Sequence, residues 1–561
     1  MILQLMQGAN HSAVLSDNQL KKKASHLNVA ALVLLLFPML IDPVKAQTFT
    51  TDELQNLEMP VGNYIQELHA IDDEQLLSIV EDFKAASIDP SQSVSLSLDR
   101  CVSLAFTNNP NLKARIEILK SRRDDLIAES RTWNPTASIN GSSNALNNNS
   151  GETSRIKRSR SVETPLTPLT DTQRTSSENR YSQTIRGEVQ WTFLDFTRQP
   201  KINAAASNYT AERYQFYTTS RLLVYEIQQT YYQLLAQREL INSFEIIVKA
   251  LKSTLDVTDS RFEAGRTHLQ DLGQIHAQYY STLSDLTSYI QTYYQLSSRL
   301  AKLVSLPDQT LIVAEGSNQF VGEWTLDLEE SVDLARLKND RLLSSQELAK
   351  ASNSRGIAQL NSTLPNLFLT AGATLSSGSS DGYTFNKTTT SGSRSSNSNS
   401  SQSDNTFSFG NNSSYDVSGG IGFSWNFYQG GVNNARASSQ FAQSKSQEFQ
   451  TESIYDELIS DIRTSMNALK SNRLRYLTSD ASTQSAKISY IAAIARLNAG
   501  LSDVTTVNQI IQTYQSSIQS EIRAIQNYNI ELAKLYRDTA IWPKEATGLA
   551  LELLESTGLD R

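Results

Sequence analysis

Apolar residues recur every three or four positions over long stretches of this chain, and two glycines interrupt the pattern. Before Gly265 the apolar residues repeat every seven positions, and after it they step by three and four. The same descending stripe follows Gly500 in register, except that Glu521 occupies the position that matches Leu286. Apolar stripes of this period pack helices against other helices, and glycine readily forms a left-handed helix end. The pattern predicts two long antiparallel helical hairpins with Gly265 and Gly500 at their tips.

The two hairpins belong to a tandem duplication. The pattern Leu-x-Leu-x-x-x-Val-x-Leu-Ala begins at Leu96 and again at Leu326, and the matching register continues to Pro135 and Pro365. Each half therefore begins with a helix that a proline ends. The chain divides into a first structural repeat (95–305), a linker (306–325), a second structural repeat (326–540) and a C-terminal tail (541–561).

After each proline the period of the pattern changes from helical to two. Apolar and polar residues alternate up to Phe193 and up to Phe427, and shorter alternating segments follow each proline. An apolar face with aromatic residues towards its ends, set against a polar face, is typical of strands between lipid and a wet lumen. An ordinary half-buried sheet gives the same alternation, but four such strands placed symmetrically favour a transmembrane β-barrel. The aromatic girdle expected for this barrel is Tyr181, Trp191, Phe193, Tyr415, Trp425 and Phe427.

Polar inserts separate the paired strands at 142–180 and 376–414. They are rich in Ser, Asn and Thr and cannot bury a core. Because long loops of membrane barrels face outward on one side, we expect these inserts to be extended surface loops.

The ascending helix of the first hairpin is very long. About 58 residues from Ala204 to Arg261 would extend roughly 87 Å at 1.5 Å per residue. This length far exceeds a globular domain and suits a tube that crosses a compartment.

The N-terminal region resembles a secretory leader followed by an acidic segment. Residues 1–46 combine three lysines, the apolar run Val29–Ile41 and small residues at a cleavage position, so we expect a signal peptide there. Residues 47–94 form an acidic leader. We expect it to be largely solvated, although a docking arm is the alternative.

Composition excludes several classes of function. The net charge of −8 and the isoelectric point near 5.4 argue against nucleic acid as a partner. A mean hydropathy of −0.37 excludes a bundle of membrane-spanning helices. Cys101 is the single cysteine, and the five histidines show no ligand spacing. No catalytic motif is recognisable, so we expect no catalytic residue, no cofactor and no metal.

Four strands per chain cannot close a barrel, and an open edge facing lipid would leave backbone groups unpaired. Three chains give twelve strands and leave room for an aqueous pore. The expected fold class is mixed α and β, tandem-duplicated and homotrimeric. A long antiparallel α-helical (coiled-coil) barrel joins a transmembrane β-barrel built from four strands per protomer.

The duplicated order of helix, two strands and helical hairpin resembles the TolC family of outer-membrane exit ducts, as do Asn109-Pro110 and the two tip glycines. The resemblance covers about Leu96 to Ile541. It implies a homotrimer in the Gram-negative outer membrane that extends into the periplasm. It also implies docking, at the tips, of a periplasmic adaptor (membrane fusion) protein bound to an inner-membrane ABC or proton-driven transporter.

The expected function is therefore a passive exit duct in contact with outer-membrane lipid. It would serve type I protein secretion or small-molecule efflux. The absence of a cysteine after the cleavage position tilts the expectation slightly to secretion. A trimeric coiled-coil surface adhesin or structural stalk is the alternative, but the strands interrupt helices in both halves, whereas an adhesin would group its strands at one end. An enzyme is not expected.

The resemblance also implies an entrance gate near the tips, and this chain departs from it. Relatives carry aspartates six and nine residues after the second tip glycine, where Thr506 and Gln509 stand here. Relatives also carry an arginine two residues after that glycine, where Ser502 stands. Asp271 is retained. We therefore expect Asp271 and Asp503 to be the main entrance carboxylates and helix packing to hold the gate closed.

Overall fold

The computed structural model describes residues 73–87, 93–156, 169–306, 310–391 and 400–559. The predicted signal peptide and the leader up to residue 72 lie outside the described residues. The chain divides into two units, Met1–Leu76 and Leu77–Arg561, and the architecture below is that of the second unit.

Both halves of the chain contain the same order of elements. The first half consists of α1 (Asp73–Ser87), β1 (Ser93–Leu96), α2 (Leu98–Asn108), α3 (Pro110–Ser130), β2 (Thr136–Ile156), β3 (Leu169–Leu194), α4 (Arg198–Glu263) and α5 (Leu269–Val304). The second half consists of β4 (Leu311–Ala314), α6 (Leu328–Lys338), α7 (Asp340–Asn361), β5 (Asn366–Ser391), β6 (Ser400–Ser424), α8 (Val432–Asn498), α9 (Val504–Asp538) and α10 (Leu549–Ser556). From β1 to α5 and from β4 to α9 the elements correspond one to one, as the duplication predicts.

The two predicted hairpins are formed by α4 with α5 and by α8 with α9. The 66 residues of α4 span about 99 Å, slightly more than the length predicted from Ala204 to Arg261. The residues that repeat every seven positions along α4 are buried, as a helix-packing stripe requires. They are Ile227, Leu234, Ile241, Val248 and Leu255. None of the described helices is long and apolar enough to serve as a membrane span.

The single helix that the sequence predicts before the long strands of each half is broken in two, into α2 and α3 in the first half and into α6 and α7 in the second. The breaks are at Asn109 and Asn339, whose backbones are extended, with ψ of 121° and 117°. At Asn109 the following proline disfavours the helical conformation. At Asn339 no proline follows, and the side chain itself starts the next helix by accepting the amides of Arg341 (3.1 Å) and Leu342 (3.3 Å).

Each break is also fastened to the end of a hairpin. The Asn109 Nδ2 donates to the carbonyl of Leu303 at 2.9 Å, and the Asn339 Nδ2 donates to the carbonyl of Asp538 at 2.9 Å. These carbonyls lie at the C-terminal ends of α5 and α9, where helices have no internal donor left. The same asparagine therefore starts one helix and ends another in both repeats.

The four long strands form one antiparallel sheet in the order β2-β3-β5-β6. The predicted loops at 142–180 and 376–414 are wrong for most of their described length, because β2, β3, β5 and β6 continue into them. Backbone pairing between neighbouring strands satisfies the amides and carbonyls there. The polar side chains consequently need no core of their own.

The linker predicted at 306–325 and the end of the leader contribute a second, small sheet. In it β1 pairs in parallel with β4, from Ser93 with Leu311 to Leu96 with Ala314. The Tyr231 hydroxyl donates to the carbonyl of Leu96 at 3.2 Å. These two equivalent strands join the repeats beside α4. The sequence does not predict them, because four residues are too few to show an alternating pattern.

The two terminal segments of this unit are more ordered than expected. Residues 77–87 of the leader belong to α1, which packs on the first hairpin through one face and exposes the other to solvent. The tail at 541–561 contains α10, and Leu559 is fully buried while its carbonyl accepts the Tyr209 hydroxyl at 2.8 Å. In both segments apolar side chains find a surface on the long helices.

We predict that Asn339→Ala lowers the free energy of unfolding by about 1–2 kcal/mol, because it removes a helix cap and a bond to the end of α9. Thermal unfolding of the purified protein followed by circular dichroism measures this change. Asn353→Ala, at an exposed position in the same helix, is the matched control. Equal midpoints for the two variants would contradict the role of Asn339.

Candidate functional site

The hairpin tips adopt the conformation that their glycines predict. Gly265 and Gly500 have φ of +70° and +75°, which side chains with a Cβ rarely adopt. The Gly265 amide donates to the carbonyl of Phe262 at 2.8 Å, and the Arg266 amide donates to the carbonyl of Arg261 at 2.8 Å. The second tip has the two equivalent hydrogen bonds. Both glycines are exposed, and no atom lies within 4 Å of a Cβ built on either. The tips are thus fixed by backbone geometry and present an open surface.

An arginine joins the two tips. The Arg261 guanidinium donates to the carbonyls of Leu497 and Asn498, at the C-terminal end of α8. The Leu497 carbonyl also accepts the Gly500 amide, and both carbonyls lie at the negative end of the helix dipole, so a cation is favoured there. The sequence does not predict this contact, because a lysine or arginine in the last turn of a helix usually interacts with its own helix.

The two carboxylates predicted to lie at the entrance, Asp271 and Asp503, are both at the start of a descending helix. Asp503 caps α9, and its carboxylate accepts the amide (2.7 Å) and the hydroxyl (2.8 Å) of Thr506. These hydrogen bonds, the backbone one first, lower the pKa of Asp503 below its usual value. Asp271 lies in the first turn of α5 behind His268. Both positions suit a negative charge because helix N-termini are positive.

The remaining predicted gate residues are less engaged. Thr506 is exposed and bonded to Asp503, Gln509 is exposed, and Ser502 is half-buried. The structure places all of them in the tip and first turns of the second hairpin. Their role as a gate stays a prediction.

Uncharged side chains connect the two descending helices above these carboxylates. The bonds form a ladder between α5 and α9 that extends over eight positions of α5, or about 12 Å. Its steps are Thr505 to Gln274 (2.9 Å), Gln512 to Gln278 (3.1 Å) and Gln515 to Thr282 (3.0 Å). Amide and hydroxyl pairs of this kind have no sequence signature, so the ladder was not predicted.

The register of the large sheet separates an apolar face from a polar face. On the apolar face Ile139 is 82% exposed and Val417 is 75% exposed. Other members of this face are Tyr181, Ile185, Val189, Leu375, Tyr415 and Ile421. The opposite face carries hydroxyl and charged groups, including Arg186 and Glu188, which pair at 3.3 Å. Exposed apolar area of this extent marks a surface that another medium or molecule covers.

The predicted girdle residues occupy two levels of this face. Trp191 and Trp425 lie at the end nearest the helices, where their indole N–H groups donate to the carbonyls of Trp133 (2.9 Å) and Thr363 (3.0 Å). Phe193 and Phe427 lie beside these tryptophans, with ring centroids 6.1 Å and 5.9 Å away. The sequence predicts Trp425 and Phe427 as strand residues, but β6 ends at Ser424 and both residues follow it.

Tyr181 and Tyr415 form the second level, ten positions earlier in the chain than the two tryptophans. Ten residues span about 33 Å along a strand. With the tilt of roughly 40° that strands adopt in barrels, the levels are about 25 Å apart. This spacing equals the height of the apolar band of outer-membrane barrels.

Comparisons with known proteins agree with this architecture. The model of the outer membrane efflux protein family matches residues 101–305 and 332–539. None of the curated protein sequences matches the chain. Among solved structures, the CmeC outer membrane channel of Campylobacter jejuni has a TM-score of 0.61 and 16% identity, covering 82% of this chain and 89% of that one. VceC of Vibrio cholerae has a TM-score of 0.57 and 14% identity, covering 79% of this chain and 95% of that one. The open state of the MtrE channel of Neisseria gonorrhoeae has a TM-score of 0.54 and 14% identity, covering 79% of this chain and 88% of that one. At these identities the structures show a shared fold.

We predict that Arg261→Ala loosens the second tip, because the last carbonyls of α8 lose the guanidinium that links them to α4. Amide hydrogen exchange at Gly500 and Leu501 should become about tenfold faster, as expected for the loss of a charge-assisted hydrogen bond. Arg266→Ala removes the same charge from an exposed position in the same turn and serves as the control. Unchanged exchange in Arg261→Ala would show that the contact does not hold the tips together.

Proposed function

The chain belongs to the outer membrane efflux protein family, and we propose that it is the outer-membrane channel of a tripartite export machine. In this function it is a passive duct across the periplasm, for small-molecule efflux or type I protein secretion. The observation that carries the proposal is the sheet with one apolar and one polar face, joined directly to two hairpins whose ascending helices are each about 100 Å long. The family consists of channels, and a channel needs a surface for lipid and a path for cargo rather than a catalytic site.

Lipid contact of the apolar face requires closure of the sheet. Strands β2 and β6 are the two edges of the sheet within one chain, and no described strand pairs with their outer backbone groups. In lipid such an edge is forbidden. Three copies would pair β6 of one chain with β2 of the next and close a twelve-stranded barrel.

The helical part also offers a surface for a second copy. In the C-terminal half of α8 four large apolar side chains are more than half exposed and repeat at helical spacing: Leu474, Leu477, Ile488 and Ile491. Exposed stripes of this kind are covered by another helix in a coiled coil. In a homotrimer α8 would pack against the neighbouring copy's first hairpin.

The tip contact supports the same ring. Within one chain Arg261 reaches the second tip, whereas the equivalent Arg496 reaches only Leu501 of its own tip, at 3.3 Å. The duplication places Arg496 where it would reach the carbonyls of Phe262 and Glu263 in the next copy. Six tips would then form one continuous ring at the periplasmic entrance.

We assign adaptor docking to the exposed surface around Gly265 and Gly500. The gate is assigned to the neutral ladder between α5 and α9, with the carboxylates of Asp271 and Asp503 near the mouth. Hydrogen bonds between uncharged groups respond weakly to salt. Opening would therefore depend on movement of the descending helices relative to one another.

We predict that Gly265→Val combined with Gly500→Val abolishes export, because valine disfavours the left-handed backbone and places bulk on the docking surface. The measurement is extrusion of a fluorescent efflux substrate by host cells, together with secreted protein in the medium. Light scattering of the purified variant should still report a trimer. Gly273→Val, inside α5 and without a positive φ, should retain export. Normal export by the double variant would refute the docking assignment, and a monodisperse monomer of the unmodified chain would refute the barrel.

We predict that the purified channel is mostly closed in planar bilayers, with modest cation selectivity and weak block by divalent cations. Asp271→Asn with Asp503→Asn should remove that selectivity. Because the pKa of Asp503 is lowered, its charge persists as the pH falls towards about 4, the usual range of aspartate. Selectivity should disappear only below that range. Tight divalent block that survives both substitutions would contradict the assignment of these carboxylates.

A further inference from the structure

Helix α1 packs against the first hairpin through one face. Its groove-facing residues are three, four and seven positions apart, the spacing of one side of a helix. Leu77 and Val80 are the apolar members of this face, and the Lys84 ammonium forms an ion pair with Glu245 on α4. The opposite side of the helix carries Ile79 and Phe83, which are exposed.

The floor of this groove is apolar. It is formed by Val248 of α4 and by Leu286 and Ile290 of α5, all of them buried. Glu245 lies 18 residues before the end of α4, so the groove lies about 27 Å from the tip. Leu77 and Val80 thus cover part of the stripe that packs the two helices of the first hairpin.

The second hairpin differs from the first at the floor of this groove. Shifting by the spacing of the two tip glycines turns Val248 into Thr483 and Leu286 into Glu521. A hydroxyl and a carboxylate thus replace two of the three apolar side chains of the floor, and Ile525 matches the third, Ile290. The two hairpins therefore differ where, among the described residues, α1 covers the first.

We propose that the first hairpin carries a helix-binding groove that the chain fills in cis with α1, so that other amphipathic helices are excluded from it. The inference rests on the proposed function only for its consequence, which is that a helix of a partner protein would bind the two hairpins of one chain with different affinities. The occupant that fits is a helix with two apolar residues three positions apart and a basic residue four positions further. Only five residues join α1 to β1, so its effective concentration at the groove is high, on the order of millimolar. A helix supplied in trans must compete against that.

The first test uses a fluorescent synthetic peptide of residues 73–87 as the probe, with the full-length protein in detergent. Leu77→Asp with Val80→Asp detaches α1 without altering the groove, and the peptide should then bind at least tenfold more tightly than to the unmodified chain. Ile79→Asp with Phe83→Asp adds the same charges on the exposed side and should behave as the unmodified chain. Equal binding to all three, or binding to none, would overturn the proposal.

A second test does not depend on releasing α1. Thr483→Val with Glu521→Leu gives the second hairpin the floor of the first, and the peptide should bind there while α1 stays in place. Adding Leu286→Glu to the detached variant should remove binding at the first hairpin. Failure of either result would overturn the proposal. Because the peptide is measured without transport, a chain that binds it but exports nothing rejects the proposed function alone.

Discussion

The pairing of backbone groups at the two outer strands is the constraint on which the proposed assembly depends. A sheet that ends at β2 and β6 is complete in neither water nor lipid, and lipid tolerates no unpaired edge. Chain length could have supplied more strands, but this chain devotes its length to helices instead. The number of copies is therefore a consequence of how few strands each one carries. The same copies that close the sheet would also cover the exposed stripe of α8.

The long helices and their tips could be predicted from the sequence because their signals are periodic and local. The stripe through Ile227 and Leu255 repeats over many turns. In each hairpin a glycine, such as Gly500, interrupts the pattern at the tip. The strands were recognised only where one face is apolar. Beyond Tyr181 and Tyr415 most side chains are polar, and the apolar face continues through scattered aromatic residues such as Phe407 and Phe409. The alternation is weak there, and hydrogen bonding to the neighbouring strand defines the structure without leaving a clear pattern in composition.

Contacts between the repeats were harder to predict than the repeats themselves. Arg261, the Gln274–Gln278 ladder and the parallel pair of β1 and β4 each join segments more than two hundred residues apart. None of these residues is unusual for its own helix or strand. In the sequence Asn109 is notable because Pro110 follows it. Its second role, binding the end of a hairpin, is recognised in the structure, where Asn339 makes the equivalent bond although no proline follows it. Such roles depend on three-dimensional proximity, which one sequence does not contain.

The length of the strands has a consequence for where cargo leaves the proposed duct. β3 begins twelve positions before Tyr181, and aromatic residues of the apolar face continue to the level of Phe385, which pairs with Thr175. The six residues of β3 before Thr175 span about 20 Å along a strand, or about 15 Å in height at the usual tilt. The wall of the tube would thus continue as a hydrophilic rim above the lipid. An oily molecule released at its rim would enter bulk medium rather than the adjacent leaflet, which makes back-diffusion into the cell slower than release at the membrane surface.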